Sequence, residues 1–488
     1  MAHVGLLSSR LGAAGWLSGA RLSCVSASAS ASAITFSCGA VTHTRFSQQF
    51  SSLVTTWAPA TPRSAPTGST LPLHHELAAA ARRHGEQLRP PTPPRRHCSS
   101  VTTSELAFHA SSFGNMADRD VLPDAIKPSH YVVSLRELDF KNWTYQGTVR
   151  QVANHPIDVE VIKPTKEVVI NALELKLSKA SVTVTQNKST ESYESASISL
   201  DEKKQRAVIA FDQDIPASQK ASVLIHFEGI LNNDMAGFYR SKYTPAVTPA
   251  ASVPRDDEWH YMLSTQFEPC DARRAFPCFD EPNLKATFDV ELEIPDDQVA
   301  LSNMPVKDTK KTRDGFHLVS FETSPKMSTY LLAWAIGDFE YVEAFTERRY
   351  NGKQLPVRVY TTRGLKEQGR WALWHAPRII DYFSDIFGIE YPLPKADLLA
   401  VHEFSAGAME NWGLVTYRTT AVLYDEKTSE PRYANRVAYV VAHELAHQWF
   451  GNLVTMDWWD ELWLNEGFAT WVGWLATDHL HPEWQVWP

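Results

Sequence analysis

Residues 440–452 read VVAHELAHQWFGN and continue a largely apolar segment that begins at residue 433. Apolar side chains point to most sides of this stretch when it is drawn as a helix, which is typical of a helix buried inside a protein. Gly451 and Asn452 are residue types that favour the end of a helix. The segment therefore predicts a buried helix over residues 433–452.

The chain before this helix is rich in short β-type runs. They are HYVVSLREL (130–138), EVVINALELKL (167–177), ASISL (196–200), QRAVIAF (205–211) and ASVLIHFEG (221–229). Short strands separated by polar turns predict an antiparallel β-sandwich. The run at 147–161 is interrupted at Asn154–Pro156, which indicates a bulge, an edge loop or an in-frame insertion.

Helical patterns begin after about residue 326. The segment LKEQGRWALWHAPRIIDYFSDIFG (365–388) has apolar residues at helical spacing and reaches a stop signal at Gly388. We therefore expect an α+β protein with three parts: a disordered leader (1–120), an N-terminal antiparallel β-sandwich domain (121–325) and a third part in which helices appear (326–488).

Charge separates the leader from the rest of the chain. The net charge is −9, but residues 1–115 carry +6 and the remainder −15. The acidic body argues against nucleic acid as a partner. The absence of any uninterrupted run of about 18 apolar residues argues against a transmembrane segment.

The leader is rich in Arg and Ser, and its first 75 residues contain no acidic residue. That bias suits a mitochondrial transit peptide. The alternative is upstream sequence present only in a gene model, with Met116 as the true start. A mitochondrial location follows from the first interpretation and a cytoplasmic one from the second.

The helix at 433–452 carries His443 and His447 at positions i and i+4. Side chains four residues apart lie on one face of a helix, so both imidazoles can reach one ion. The pattern H-E-x-x-H is the arrangement of zinc peptidases, in which the glutamate, here Glu444, acts as general base. Two histidines satisfied inside a core are the alternative interpretation.

Zinc at a catalytic site needs a third protein ligand. Glu466, in LWLNEGFATW (462–471), follows His447 after 18 intervening residues. That interval is long enough to end one helix and bring a second across it. One Zn²⁺ held by His443, His447 and Glu466 would activate water at neutral pH, with Glu444 accepting its proton. The predicted chemistry is hydrolysis of an amide or similar acyl bond.

Glu410 lies in AGAMENWG (406–413), with no Lys or Arg close to it in sequence. A fixed carboxylate at the end of a cleft suits a substrate that begins with a free ammonium group. Gly407 and Ala408 would let a peptide lie against the main chain as an added strand. A solvated loop glutamate is the alternative.

Together, G-A-M-E-N, H-E-x-x-H and the distant glutamate resemble the gluzincin zinc aminopeptidases of the membrane alanyl and puromycin-sensitive type. TQFEPCDARRAFPCFDEP, YPLPKADLLAV and WFGNLVTMDWWDELWLNEGFATW also match, from about Leu122 onward, closest to the cytosolic puromycin-sensitive and fungal members. The resemblance implies a saddle-like β domain followed by a thermolysin-like catalytic domain.

The same resemblance implies roles for individual residues. His443, His447 and Glu466 would bind zinc, and Glu444 would be the base. Glu410 would anchor the substrate α-amine, with Gln266 and Glu268 lining the same pocket and Met409 forming part of its wall. The implied substrates are peptides with a free N-terminus.

Members of the family continue well past the point that corresponds to Pro488. The catalytic domain is therefore expected to be incomplete at its C-terminal end, without the tyrosine that stabilises the oxyanion, a loss that typically costs about 100- to 1000-fold in rate. Eight of the sixteen tryptophans lie between Trp449 and Trp487. We expect them to expose a large apolar patch and the isolated chain to have weak or no activity.

Three other functions remain open at this stage. A catalytically impaired chain could bind peptides or a partner through its β domain. An endopeptidase would cleave N-acetylated peptides, which an amine anchor should reject. An epoxide hydrolase on the same scaffold is disfavoured because its relatives carry a different sequence in place of G-A-M-E-N.

Overall fold

The computed structural model describes residues 120–149, 158–186, 189–245 and 259–487. The leader and the interruption at Asn154–Pro156 lie outside the described residues, so predictions about them are not tested. None of the helices in the described ranges is both long and apolar enough to cross a lipid bilayer.

Seventeen strands occur in the described residues before Phe339. In chain order they are β1 (Ile126–Pro128), β2 (His130–Asp139), β3 (Thr144–Val149), β4 (Asp158–Val161), β5 (Thr165–Asn171), β6 (Lys176–Gln186), β7 (Ser189–Glu194), β8 (Ser197–Asp201), β9 (Arg206–Ile215), β10 (Ser218–Ile230), β11 (Gly237–Tyr243), β12 (His260–Gln266), β13 (Thr287–Pro295), β14 (Val299–Ser302), β15 (Val306–Lys311), β16 (Phe316–Phe321) and β17 (Trp334–Gly337).

These strands form three sheets. The largest has the order β1-β4-β10-β3-β2-β13-β16-β15, with β6 also paired to β10 and β7 to β6. A three-stranded sheet has the order β5-β9-β8, and a four-stranded sheet the order β11-β12-β17-β14. The pairing is antiparallel except between β2 and β13, which run parallel. The α+β fold class with an N-terminal β domain is therefore confirmed.

One predicted strand is in fact two. The run at 167–177 breaks after Asn171, which pairs with Arg206 of β9 and also exchanges main-chain hydrogen bonds with Cys278. Glu174, in the break, has a left-handed backbone with φ of 58°. The apolar pattern passes through this bend, so periodicity alone could not reveal it.

A second sheet region, which the sequence analysis did not anticipate, occupies the C-terminal half. Its strands are β18 (Phe339–Tyr350), β19 (Lys353–Thr362), β20 (Ala396–Val401), β21 (Ala408–Met409) and β22 (Leu414–Arg418). They are arranged β18-β19-β20-β22-β21, with β19–β20 and β20–β22 parallel. All six residues of β20 are buried, as expected for a strand covered on both faces.

The helices of this half are α1 (Arg370–Phe387), α2 (Thr419–Val422), α3 (Arg432–His447) and α4 (Leu462–Leu480). Helix α1 ends at Gly388, which has a left-handed backbone with φ of 65°, as the sequence predicts. The helix predicted over 433–452 ends earlier, at His447. The amides of Gln448 and Trp449 turn back to carbonyls three residues earlier, so the chain tightens before Gly451.

The end of α4 packs on α1 through two buried histidines. His375 Nε2 lies 2.8 Å from His481 Nε2, and His375 Nδ1 donates to the carbonyl of Trp371 at 2.8 Å. Burial lowers the pKa of His375 to about 4, so the ring is neutral at physiological pH.

Helix α4 also presents large apolar side chains to solvent. Trp463 is 71% exposed, Trp471 51% and Leu464 46%. Trp449, by contrast, is buried and donates from its indole nitrogen to the carbonyl of Ile389. Two of the eight tryptophans expected to form an exposed patch thus face solvent on α4, while aggregation of the chain stays a prediction.

Candidate metal centre and substrate pocket

Helix α3 brings His443 and His447 together. Their Nε2 atoms are 3.1 Å apart, as the four-residue spacing predicts. His447 is fully buried, whereas the side chain of His443 is 16% exposed. The pair therefore forms the floor of a site that opens on the side of His443.

A hydrogen bond sets the tautomer of His447. Its Nδ1 lies 3.1 Å from the carbonyl oxygen of Phe450 and 3.2 Å from Oδ1 of Asn465, both of which are acceptors. Nδ1 therefore carries a proton in either charge state of the ring, and Nε2 is the nitrogen that can offer a lone pair to a metal ion. This is the usual support for a histidine that binds a metal.

Helix α4 crosses α3 and supplies Glu466. Its Oε2 lies 3.2 Å from Nε2 of His443 and 3.7 Å from Nε2 of His447. These separations leave a point about 2 Å from all three atoms, the usual length of zinc–nitrogen and zinc–oxygen bonds. The three residues predicted as ligands thus meet in one cluster that fits a zinc ion.

Two glycines permit this close approach. A Cβ on Gly473 of α4 would lie 3.1 Å from both the Cα and the backbone nitrogen of His443. Gly451 has a φ of 134°, and a Cβ there would lie 2.7 Å from Oδ1 of Asn465. Side chains at these positions would push α4 or Asn465 away from the histidines.

Neighbouring charged groups raise the pKa of His447 and lower the pKa of Glu466. Burial alone would lower the pKa of His447, but the carboxylates of Glu410, Glu466 and Glu444 raise it to about 10. Burial would raise the pKa of Glu466, but the hydrogen bonds and charges of the two histidines lower it below the usual range. The cluster therefore holds its carboxylate ionised.

Glu444, the predicted base, is buried on α3 beside the histidines. Its Oε2 has no hydrogen-bond partner among the described residues. Burial raises the pKa of Glu444 well above its ordinary value, and the charge of Glu410 adds to the shift. A cation entering the site would oppose that shift and favour the carboxylate form.

Glu410 and Glu268 form the other wall of the site. Carboxylate oxygens of Glu268, Glu410 and Glu466 all lie within 4.8 Å of one another. Glu410 is 3% exposed, and its Oε1 is 3.8 Å from Nδ1 of His447. Burial raises the pKa of Glu268 well above its ordinary value, with further contributions from Glu410 and Glu466. The site is thus rich in carboxyl groups.

Two amides that the sequence analysis did not single out hold the main chain of Glu410. Gln448 Nε2 donates to the Glu410 carbonyl at 3.0 Å, and Asn452 Nδ2 donates to the same oxygen at 2.8 Å. Both residues lie just after α3, so they attach the Glu410 segment to the helix of the histidines. Both residues stand in the sequence QWFGN, but the sequence did not show that they contact Glu410, which lies 38 and 42 residues earlier.

Lys285 attaches the β domain to the same turn. Its Nζ donates to the carbonyls of Asn452 and Leu453, each at 3.3 Å. Burial lowers the pKa of Lys285 to about 8, and the charge of Lys326 adds to the effect. The turn after α3 is therefore held from both halves of the chain.

Gln266 lies at the end of β12, next to the anchored ring of Phe267. Its Nε2 is 3.6 Å from Sδ of Met409 and 3.4 Å from the carbonyl of Glu268. Phe267 packs edge-on against Trp334 at 5.3 Å, which fixes where Glu268 leaves the strand. Gln266, Glu268 and Met409 are thus brought together, as the sequence analysis expects of pocket residues.

Gly407 and Ala408 lie at an edge of the five-stranded sheet. Ala408 opposite Tyr417 begins the two-residue strand β21, which pairs only with β22 among the described strands. Gly407 is exposed, and a Cβ there would meet nothing within 4 Å. A peptide can therefore lie along this edge. The space around residue 407 would also admit a side chain, so it does not by itself require a glycine.

Comparison with known families agrees with this geometry. Residues 127–331 match the peptidase M1 N-terminal domain, and residues 371–488 match the peptidase family M1 domain. The chain belongs to peptidase family M1. This M1 chain is 46% identical over 376 residues to the alanine/arginine aminopeptidase of Saccharomyces cerevisiae, covering 76% of this chain and 40% of that protein.

Other relatives give the same result. Aminopeptidase M1 of Arabidopsis thaliana is 46% identical over 367 residues, covering 75% of this chain and 39% of the relative. The protein named "Aminopeptidase 2, mitochondrial" of Saccharomyces cerevisiae is 45% identical over 374 residues, covering 76% and 36%. This M1 chain thus spans about two-fifths of the length of the curated relatives it matches.

Proposed function

We propose that this M1 chain forms the zinc and substrate-binding part of a metallo-aminopeptidase, which removes the first residue of peptides with a free N-terminus. The observation that carries the proposal is the sharing of Glu466 between two groups: His443–His447–Glu466 and Glu268–Glu410–Glu466. One group suits a zinc ion, and the other suits the positive charge of an ammonium group.

We propose that His443, His447 and Glu466 hold one zinc ion. When bound, the ion would supply an activated water and polarise the scissile carbonyl. Glu444 would take a proton from the attacking water and deliver it to the leaving amine. Its position on α3, one residue after His443, supports this role.

We propose that Glu410 and Glu268 bind the substrate α-ammonium group. Gln266 and Met409 would line the pocket for the first side chain. Gly407 and Ala408 would bind the peptide main chain at the edge of β21. An ammonium group fixed beside the zinc site would place the first peptide bond at that site and exclude longer N-terminal overhangs. We also propose that residues 121–325 form the N-terminal β domain and that residues 326–488 belong to the catalytic domain.

The location is proposed as cytoplasmic, or mitochondrial if the leader acts as a transit peptide. One relative's name includes the word mitochondrial. Expression of the full chain, and of a form starting at Met116, each fused to a fluorescent protein, would separate the two locations.

The test of function uses the full chain loaded with zinc and a pair of peptides that differ only in N-terminal acetylation. We expect slow release of the first residue from the free peptide, in keeping with the weak activity expected of a chain without the oxyanion tyrosine, and none from the acetylated peptide. Glu444→Gln should lower kcat by roughly 100- to 10,000-fold. Glu410→Gln should lower kcat/KM for the free peptide by about 10- to 150-fold, because one charge-assisted hydrogen bond is lost.

Two results would contradict the proposal. Internal cleavage of the acetylated peptide would indicate an endopeptidase. Binding of the free peptide without any hydrolysis by the zinc-loaded chain would favour a peptide-binding function. Isothermal titration of both peptides with the Glu444→Gln variant measures that binding separately from turnover.

A further inference from the structure

The site contains more carboxyl groups than a zinc ion held by two histidines and one glutamate uses as ligands. Four glutamates, Glu268, Glu410, Glu444 and Glu466, interact electrostatically around His447. The ion pairs recorded for Glu410 and Glu466 in the described ranges involve only histidines.

Three of these carboxylates have the geometry of a cation site. Oxygens of Glu268, Glu410 and Glu466 lie within 4.8 Å of one another. Carboxylate oxygens are the ligands preferred by hard divalent cations such as Mn²⁺, Mg²⁺ and Ca²⁺. The donors are therefore of the right type and at the right spacing for a second ion.

An independent observation is the unsatisfied state of the buried oxygens. Only 3% of the surface of Glu410 is exposed, and its Oε1 has no hydrogen-bond partner among the described residues. Oε1 of Glu268 is also buried without a partner in that part of the chain. Buried acceptors of this kind are costly unless a donor or a cation satisfies them.

We propose that Glu268, Glu410 and Glu466 form a second divalent-cation site that shares Glu466 with the histidine site. The same carboxylates are those proposed to bind the substrate ammonium group, so the second cation and the substrate amine exclude each other. This competition rests on the proposed function, whereas the cation site itself rests only on the three carboxylates. Excess divalent cation then acts as a competitive inhibitor of the peptidase.

The test measures metal stoichiometry. The full chain, loaded with one Zn²⁺, is dialysed against increasing Mn²⁺, and both metals are quantified by mass spectrometry. We expect one Mn²⁺ per chain in addition to the Zn²⁺. Glu268→Gln and Glu410→Gln should each weaken Mn²⁺ binding by roughly 10-fold or more while the Zn²⁺ is retained, because each removes a charged ligand.

Glu293→Gln is a matched control. Glu293 is also a buried glutamate, but it pairs with Arg313 in the β domain. This variant should bind Mn²⁺ as the wild type does. Circular dichroism and retained Zn²⁺ confirm folding of every variant, and removing a charge from a cluster of like charges should not destabilise the fold.

A second titration identifies the competitor. Alaninamide, which carries an ammonium group, should raise the apparent Kd for Mn²⁺, whereas N-acetylalaninamide should leave it unchanged. A single metal ion per chain at every Mn²⁺ concentration would overturn the site. So would a second ion whose affinity is the same in Glu268→Gln, Glu410→Gln and the wild type.

The outcomes separate this inference from the proposed function. Cleavage of free peptides by a chain that binds only Zn²⁺ would reject the second site and retain the peptidase. Binding of two ions without any cleavage of free peptides would retain the second site and reject the peptidase. Binding of Mn²⁺ that alaninamide does not displace would reject the competition.

Discussion

Replacing Gly473 by alanine should loosen the metal centre without replacing any proposed ligand. Gly473 lies on α4, seven residues after Glu466, where the helix passes against His443 of α3. A Cβ at this position would lie 3.1 Å from the Cα and the backbone nitrogen of His443, where ordinary contacts are 3.4–4 Å. The neighbouring atoms are main chain, so one helix must move away from the other.

The size of the effect follows from that distance. A movement of about 0.3–0.9 Å restores ordinary contact, and overpacking of this kind costs about 1–3 kcal/mol of unfolding free energy. The same movement lengthens the 3.2 Å and 3.7 Å separations between Glu466 and the two histidines. Metal sites tolerate errors of about 0.2 Å in bond length, so zinc affinity should fall by roughly 10-fold or more.

Gly467→Ala, on the same helix, is the matched control. A Cβ there would meet nothing within 4 Å. An alanine in an exposed helical position should stabilise the chain by about 1 kcal/mol through helix propensity. Zinc affinity is measured by competition with a chromophoric chelator, and stability by urea unfolding of the metal-free chain.

Equal zinc affinity in Gly473→Ala and Gly467→Ala would refute the reasoning. It would mean that α3 and α4 can separate without moving Glu466 from the histidines. A loss of stability in Gly473→Ala with unchanged zinc affinity would likewise show that the contact matters for packing alone.

Three further predictions concern Asn465, Lys285 and His375. Asn465→Ala removes an acceptor from Nδ1 of His447 and should lower zinc affinity by about 10- to 100-fold in chelator competition. Asn465→Asp keeps an acceptor and should bind zinc more tightly than Asn465→Ala. Equal zinc affinity in the two variants would contradict this role. The folded-state pKa of Lys285 is about 8, below its ordinary 10.5, so the unfolded chain binds more protons between these values. The unfolding free energy of the wild type should therefore rise with pH across this window by up to roughly 3 kcal/mol relative to Lys285→Met, and parallel urea-unfolding curves for the two would argue against it. The pKa of His375 is lowered from 6.5 to about 4, so stability should fall as pH drops from 6.5 to 4, and His375→Phe should lose less of its thermal stability over that range than the wild type does.

The sequence predicted the parts of the site that depend on local spacing. His443 and His447 meet because four residues make about one helical turn, and α1 ends at Gly388 because glycine accepts a left-handed backbone. Glu466 was predicted from its distance along the chain and from the family resemblance. These inferences needed no knowledge of how distant segments pack.

Contacts between distant segments were not predictable from the residues alone. Glu268 reaches Glu466 only because β12 ends beside the edge of the second sheet. The parallel strands β19, β20 and β22 were missed because continuous apolar runs do not distinguish buried strands from buried helices. The early end of α3 at His447 was missed because the amide turns that end it leave no mark in the apolar pattern.

The double hold on the Glu410 carbonyl has a consequence for how the site measures a substrate. Gln448 and Asn452 tie that carbonyl to the turn after α3, so the carboxylate and the histidines belong to one rigid unit. Under the proposed function this unit fixes the distance between the amine anchor and the zinc site, so that a single residue is removed from the start of a peptide. Changing the first-residue pocket would alter which side chain is accepted, but the number of residues removed would stay at one. Shifting that number would require moving Glu410 itself and rebuilding both of its amide contacts.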